Sequence, residues 1–144
     1  MKPGADWQLR PMTLADYDAV IALWRASEGI GLSAADERDA IAAYLERNPG
    51  MSFVAVATGH VVGAVLGGHD GRRGYLHHLA VAPASRHRGI GRALVEASLV
   101  RLKAAGMQKC NLFLYHGNVA GRAFWEKHGW SAREDLVLVQ KPLT

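Results

Sequence analysis

The sequence predicts a mixed α+β (α/β) domain, and three observations predict it. Two β-rich runs, 51–57 and 60–66, are joined by Thr58-Gly59, a hairpin signal. Further on, a strand–helix–strand succession over 75–81, 90–105 and 109–115 makes a crossover whose two strands can lie parallel. No repeat, linker or low-complexity stretch divides the 144 residues, a length that suits one domain with a real core. The expectation is a single domain over 1–144, with antiparallel strands in front and a parallel pair behind.

Each element has its own signal. Trp7–Met12 reads as a first strand. Thr13-Leu14-Ala15-Asp16 has the form of a capping box with Asp for Glu, and Leu14, Tyr17, Val20, Ile21 and Trp24 follow at helical spacing. Gly29-Ile30-Gly31 breaks that helix. Ser33 with Asp36 starts a second one, with Ile41, Tyr44 and Leu45 on its apolar face, and Asn48-Pro49-Gly50 ends it. After the hairpin, a loop over 67–74 leads to the strand 75–81. A helix from Ile90 to Ala105 closes at Gly106, a natural residue just past a helix end. Lys109–Tyr115 reads as a strand, Val119–His128 as a short helix closed by Gly129, and Trp130–Gln140 as a last strand.

Composition narrows the function classes. Apolar content of 49% with 21% charged residues is ordinary for a globular protein. A net charge of +4 is mildly basic, but the chain has no lysine-rich arm, zinc-finger spacing or RNP-like aromatic strand, which argues against nucleic acid. Cys110 is the only cysteine, so no internal disulfide forms and a reducing, cytoplasmic setting is expected. Asp6, Asp16 and Asp18 stand where a secretion signal would need an apolar block. No apolar run reaches the ~18 residues of a membrane span.

The chemistry-bearing stretch is Arg86-His87-Arg88-Gly89-Ile90-Gly91. Glycines two apart let backbone approach a ligand closely. The helix opening there has N–H groups without intrahelical partners and the positive end of its dipole. Arg86, Arg88 and Arg92 add positive charge, so the stretch asks for a phosphorylated ligand. A Walker A loop, G-x-x-x-x-G-K-[ST], has no match here. A dinucleotide fingerprint would need a third glycine where Leu94 stands, and a shorter turn.

Arg-x-x-Gly-x-Gly, from Arg86 to Gly91, resembles the coenzyme A signature of the GCN5-related N-acetyltransferase (GNAT) family. The likeness continues into Leu79-Ala80-Val81-x-Pro83 upstream and Ala93-Leu94-Val95 downstream. A second block, Asn118 to Trp130, is similar to the family's C-terminal one: Asn, a short helix, an aromatic-Glu-Lys run at 125–127, then Gly-aromatic. The loop 67–74 looks like that of a small bacterial subgroup. The resemblance implies a central mixed sheet of 6–7 strands with a splayed parallel pair, flanked by about 4 helices. It also implies acetyl-CoA as co-substrate with no metal, an amine acceptor and no membrane; homodimers are common among relatives.

Carried onto these residues, the resemblance implies that amides from Arg88 through Gly89, Ile90, Gly91 and Arg92 to Ala93 surround the pyrophosphate, with Arg86 and His87 beside them. The pantetheine arm pairs with the backbone of 79–81, Leu79 to Val81, and Asn118 contacts its far side. Phe124 and Trp125 line the cofactor tunnel. A substrate amine then attacks the acetyl thioester directly, and the N–H of Leu79 or Ala80 polarises the carbonyl. The thiol-side acid is usually a tyrosine at the position of Trp125, whose indole cannot release a proton at useful pH. Tyr115 or water is the substitute. A domain that binds coenzyme A as a sensor, with weak or no turnover, is the competing reading.

For the base, alternation puts Tyr75, His77, Leu79 and Val81 on one side of their strand and Leu76, His78 and Ala80 on the other. Aralkylamine-type relatives place histidines at the positions equivalent to Tyr75 and His77, and His77 is the preferred candidate, with His78 a weaker one. Glu28, where the first helix breaks, is another. Asp70 is expected to cap a turn. Residues 24–37 and 67–75 are expected to form the acceptor pocket, offering Trp24, Arg25, Glu28, Asp70, Arg72, Arg73 and Tyr75.

Overall fold

The computed structural model describes residues 6–144. It divides into two compact units, one ending at Phe113 and one beginning at Leu114, and each is described by itself. In the first, the strands β1 (Trp7–Pro11), β2 (Phe53–Ala57), β3 (His60–His69), β4 (Gly74–Val81) and β5 (Cys110–Asn111) form one sheet in the order β1-β2-β3-β4-β5. The first four are antiparallel neighbours, and β4 pairs parallel with β5. Helices α1 (Tyr17–Arg25), α2 (Arg38–Arg47) and α3 (Ile90–Ala104) complete the unit.

The predicted capping box forms at Thr13–Asp16, and Ser33 with Asp36, read only as a helix start, makes a second. Thr13 N–H donates to Asp16 Oδ2 at 2.9 Å, and Ser33 N–H donates to Asp36 Oδ2 at 3.0 Å. Each box opens a 3-10 turn, Leu14–Asp16 and Ala34–Asp36. The second turn does not run into its helix, because Glu37 is extended and α2 starts at Arg38. The hairpin turn is as read: Thr58 and Gly59 both have positive φ, +47° and +78°, the signature of a type I′ connection. At its far end α3 closes on Gly106 at φ +94°, whose N–H bonds back to the Lys103 carbonyl at 3.0 Å.

Two apolar layers sandwich the sheet. On one face Val20, Ile21 and Trp24 of α1 and Ile41 of α2 cluster with Val54, Ala64, Leu66 and Ala80. On the other lies α3, with Ile90 and Leu94 close over Gly63 and Leu102 over Gly74.

Three expectations about strands need correction. The sheet holds five strands among the described residues, against the 6–7 expected. Of 109–115 only Cys110–Asn111 is strand, because only those residues find partners, Gly74 and Tyr75. No strand forms over 130–140. Its apolar residues Leu136 to Val139 are exposed, and β-propensity without a neighbouring strand to complete the ladder does not make a strand. The loop expected over 67–74 is also shorter, since β3 runs on to His69 and only 70–73 turns.

In the second unit α4 (Val119–Lys127) is capped by Asn118, whose Oδ1 accepts the N–H of Gly121 at 2.8 Å. Trp125 is buried with Phe124 and Trp130 edge-on to it, at 5.2 and 5.0 Å between centroids.

Candidate functional site

The crossover from β4 to α3 builds the first half of the site. Pro83–Ser85 makes a 3-10 turn, after which Arg86 is extended. His87 and Gly89 both take positive φ, +64° and +81°. Left-handed backbone alternating with ordinary backbone turns successive N–H groups toward one side, the geometry of an anion nest. Gly89 caps α3, so the N–H groups of Ile90, Gly91 and Arg92 point out of the helix start. Ile90 is buried against the sheet and fixes the helix end, while residues 86–89 are exposed.

The three arginines around this nest already hold partners. Arg86 Nε donates to the Val81 carbonyl at 3.2 Å, Arg88 pairs with Asp6 at 3.0 Å, and Arg92 pairs with Glu96 at 3.0 Å. The two ion pairs are solvent-exposed on both sides and of the kind that contributes little. An arriving phosphate can replace them.

The second half of the site lies on β4, where the alternation read from sequence fails at one point. Leu66 of β3 pairs with His77, but Ala64 pairs with Ala80. His78 and Leu79 therefore stand against the single residue Val65, a β-bulge with His78 at φ +56°. The bulge turns His78 onto the face occupied by α1 and α2 instead of the opposite one. Its ring meets that of Trp24 edge-on at 5.0 Å, and its Nε2 lies 2.9 Å from Asp36 Oδ1. Ala80 joins the same core. His77 and His78, adjacent in sequence, thus share one side of the sheet.

Around His77 the side chains are aromatic. Tyr75, His77 and Phe113 lie nearly parallel, with centroids 6.2–6.3 Å apart, and Tyr44 of α2 stands edge-on to His77. Burial, reinforced by His78 and opposed by Asp36, holds the His77 pKa below its ordinary 6.5. Burial also pushes the Tyr44 hydroxyl up to about 12 and the Cys110 thiol up to about 11, so neither ionises near neutrality.

The remaining sequence candidates separate. Asp70 does cap its turn, its Oδ1 accepting from the N–H groups of Arg72 and Arg73 at 2.8 Å each. Those bonds, with Arg73 the larger, lower its pKa. Glu28 and Arg25 are exposed. Trp24 is wholly buried in the core, with its Nε1–H unpartnered among the described residues. In the second unit Tyr115 is exposed, and Asn118 spends its Oδ1 on the helix cap. Sequence reasoning missed Asp36, seen only as a capping residue, and Phe113, seen only as strand. Nothing in their spacing marked either one.

Known proteins resemble this chain in sequence and in fold. The model of the Acetyltransferase (GNAT) family matches residues 17–130. Acetyltransferase SG1711 of Sodalis glossinidius is 33% identical over 136 residues, covering 94% of this chain and 95% of that protein. Acetyltransferase ECA0875 of Pectobacterium atrosepticum is 35% identical over 120 residues, 83% of this chain and 84% of that one. Among solved structures, the PaiA N-acetyltransferase of Thermoplasma acidophilum in complex with coenzyme A superposes with a TM-score of 0.77. It is 18% identical and covers 90% of this chain and 92% of its own. Nest, crossover, mixed sheet and these likenesses agree: the chain belongs to the GNAT family and is an acyl-CoA-dependent N-acetyltransferase.

Proposed function

We propose that this chain moves the acetyl group of acetyl-CoA to a primary amine by direct attack in a ternary complex. The observation that carries the reading is the nest of outward N–H groups from Arg88 to Arg92, opening at the C-terminal end of β4 next to its bulge; the N–H of Ala93, expected in the same cradle, is spent on the Gly89 carbonyl. Amides of this kind hold a pyrophosphate without a metal. Backbone of 79–81 supplies donors and acceptors for a pantetheine arm, and Leu79, standing in the bulge, offers an N–H to the carbonyl oxygen as charge develops there. On the acceptor side, β4 presents the imidazoles of His77 and His78, and a neutral ring there takes a proton from the ammonium.

The departing thiolate takes its proton from water, since the Trp125 indole that stands at the family's tyrosine position has none to release. The aromatic cluster of Tyr75, His77 and Phe113 offers ring faces to the amine's substituent. The test is amine-dependent thiol release from acetyl-CoA over a panel of aryl-alkyl amines, polyamines and amino-terminal peptides. Trp125 favours a second reading, a coenzyme A-binding sensor without turnover. Acetyl-CoA binding with no thiol release from any panel member would select it.

A further inference from the structure

We propose that Asp36 and His78 form a proton-accepting dyad for the amine, with Nδ1 of His78 taking the proton and Asp36 holding the ring; this rests on the acetyl-transfer reading above. Asp36 is fixed from several sides. Its Oδ2 accepts from Ser33 N–H at 3.0 Å, its carbonyl accepts from the Tyr17 hydroxyl at 2.7 Å, and it is 6% exposed. Its Oδ1 is left for His78 Nε2 at 2.9 Å.

A carboxylate at Nε2 selects the tautomer with its hydrogen there, so the lone pair of the neutral ring sits on Nδ1. Nδ1 makes no hydrogen bond among the described residues and is not sealed among buried unpaired atoms. The His78 side chain keeps 20% exposure. A base thus faces outward with a buried carboxylate behind it, the orientation logic of a base steered by a third group. The groups bearing on His78 are Asp36 and His77, with Tyr17 bonded to Asp36 and Tyr44 edge-on to His77 in the next layer. No lysine or arginine is among them.

The step balances simply. The ammonium gives one proton to His78, and the resulting imidazolium is neutralised by Asp36. The freed lone pair forms the N–C bond as the C–S bond breaks. The second nitrogen proton leaves to the thiolate side, giving amide and thiol, and His78 returns its proton to water.

The experiment measures kcat/KM against pH by thiol release from acetyl-CoA, with tyramine, spermidine and a glycine tripeptide as probe amines. His78→Gln is expected to lower kcat about 100-fold and abolish the acidic limb, with the KM for acetyl-CoA unchanged. Asp36→Asn removes the counter-charge and moves that limb to lower pH. Imidazole proton NMR of the wild type, which needs no variant to fold, should show His78 titrating within about one pH unit of the limb. A limb intact in folded His78→Gln, or a His78 titration well removed from it, overturns the dyad alone. No thiol release from the wild type with any probe overturns the acetyl-transfer reading, and the dyad with it.

Discussion

The carbonyl of Gly89 accepts the N–H of Ala93 at 3.1 Å, and that bond closes the first turn of α3. The N–H groups of Ile90, Gly91 and Arg92 between them have no partner within the helix. Gly91→Glu places a carboxylate among them, where it competes for the amides and repels phosphate. Acetyl-CoA affinity, by calorimetry, is expected to fall about 100-fold, or about 2.7 kcal/mol. Gly89→Ala must hold φ at +81° at a cost of about 1 kcal/mol. It should melt a few degrees lower and bind more weakly.

His77 makes stability depend on pH in a definite direction. Its folded pKa lies below 6.5, chiefly through burial, so the unfolded chain binds the proton more readily. That contribution is present above 6.5 and is lost as pH falls from 6.5 through the folded value. Denaturant midpoints followed downward from pH 7.5 should decline across that window. The decline should be shallower in His77→Gln.

Gly67 sits where a side chain has no room. A Cβ there would collide with the carbonyl oxygen of Met51 and press on Ser98 Oγ, while Ser98 Oγ donates to that same carbonyl at 2.7 Å. Gly67→Ala is expected to cost about 2–3 kcal/mol. Gly117→Ala, with open space around it, should stay within about 0.5 kcal/mol of the wild type. Urea titrations of the two variants side by side check both.

The aromatic cluster of Tyr75, His77 and Phe113 predicts selectivity among amines. Phe113→Ala should raise KM for tyramine about 3- to 10-fold, the scale of one aromatic contact. The KM values for spermidine and acetyl-CoA should hold. Equal losses for both amines would place the cluster outside the acceptor's path.

Local signals made most of the fold legible. Two capping boxes, the Thr58-Gly59 turn, Gly106 and the crossover into Arg86–Gly91 each act within a few residues, and each formed. What depended on distant partners did not read. Trp130–Gln140 alternates like a strand, but a strand is completed only by a neighbour's backbone. The site divided the same way. The nest is written in contiguous glycines and arginines, whereas Asp36 and His78 meet across 42 residues. The meeting depends on one extra residue in β4 that strict two-residue alternation could not anticipate. That same assumption sent His78 to the wrong face.

The bulge is, in effect, a splice. The ladder is in register on both sides of it, at His77 and again at Ala80, so the inserted residue disturbs neither end of the strand. Presenting two neighbouring imidazoles on one side is therefore a property of chain length at this point, which no single substitution can confer. A relative without the insertion would align with this chain only across a gap in mid-strand. Such a gap, ordinarily taken for an alignment error, would mark the loss of the second histidine from the site.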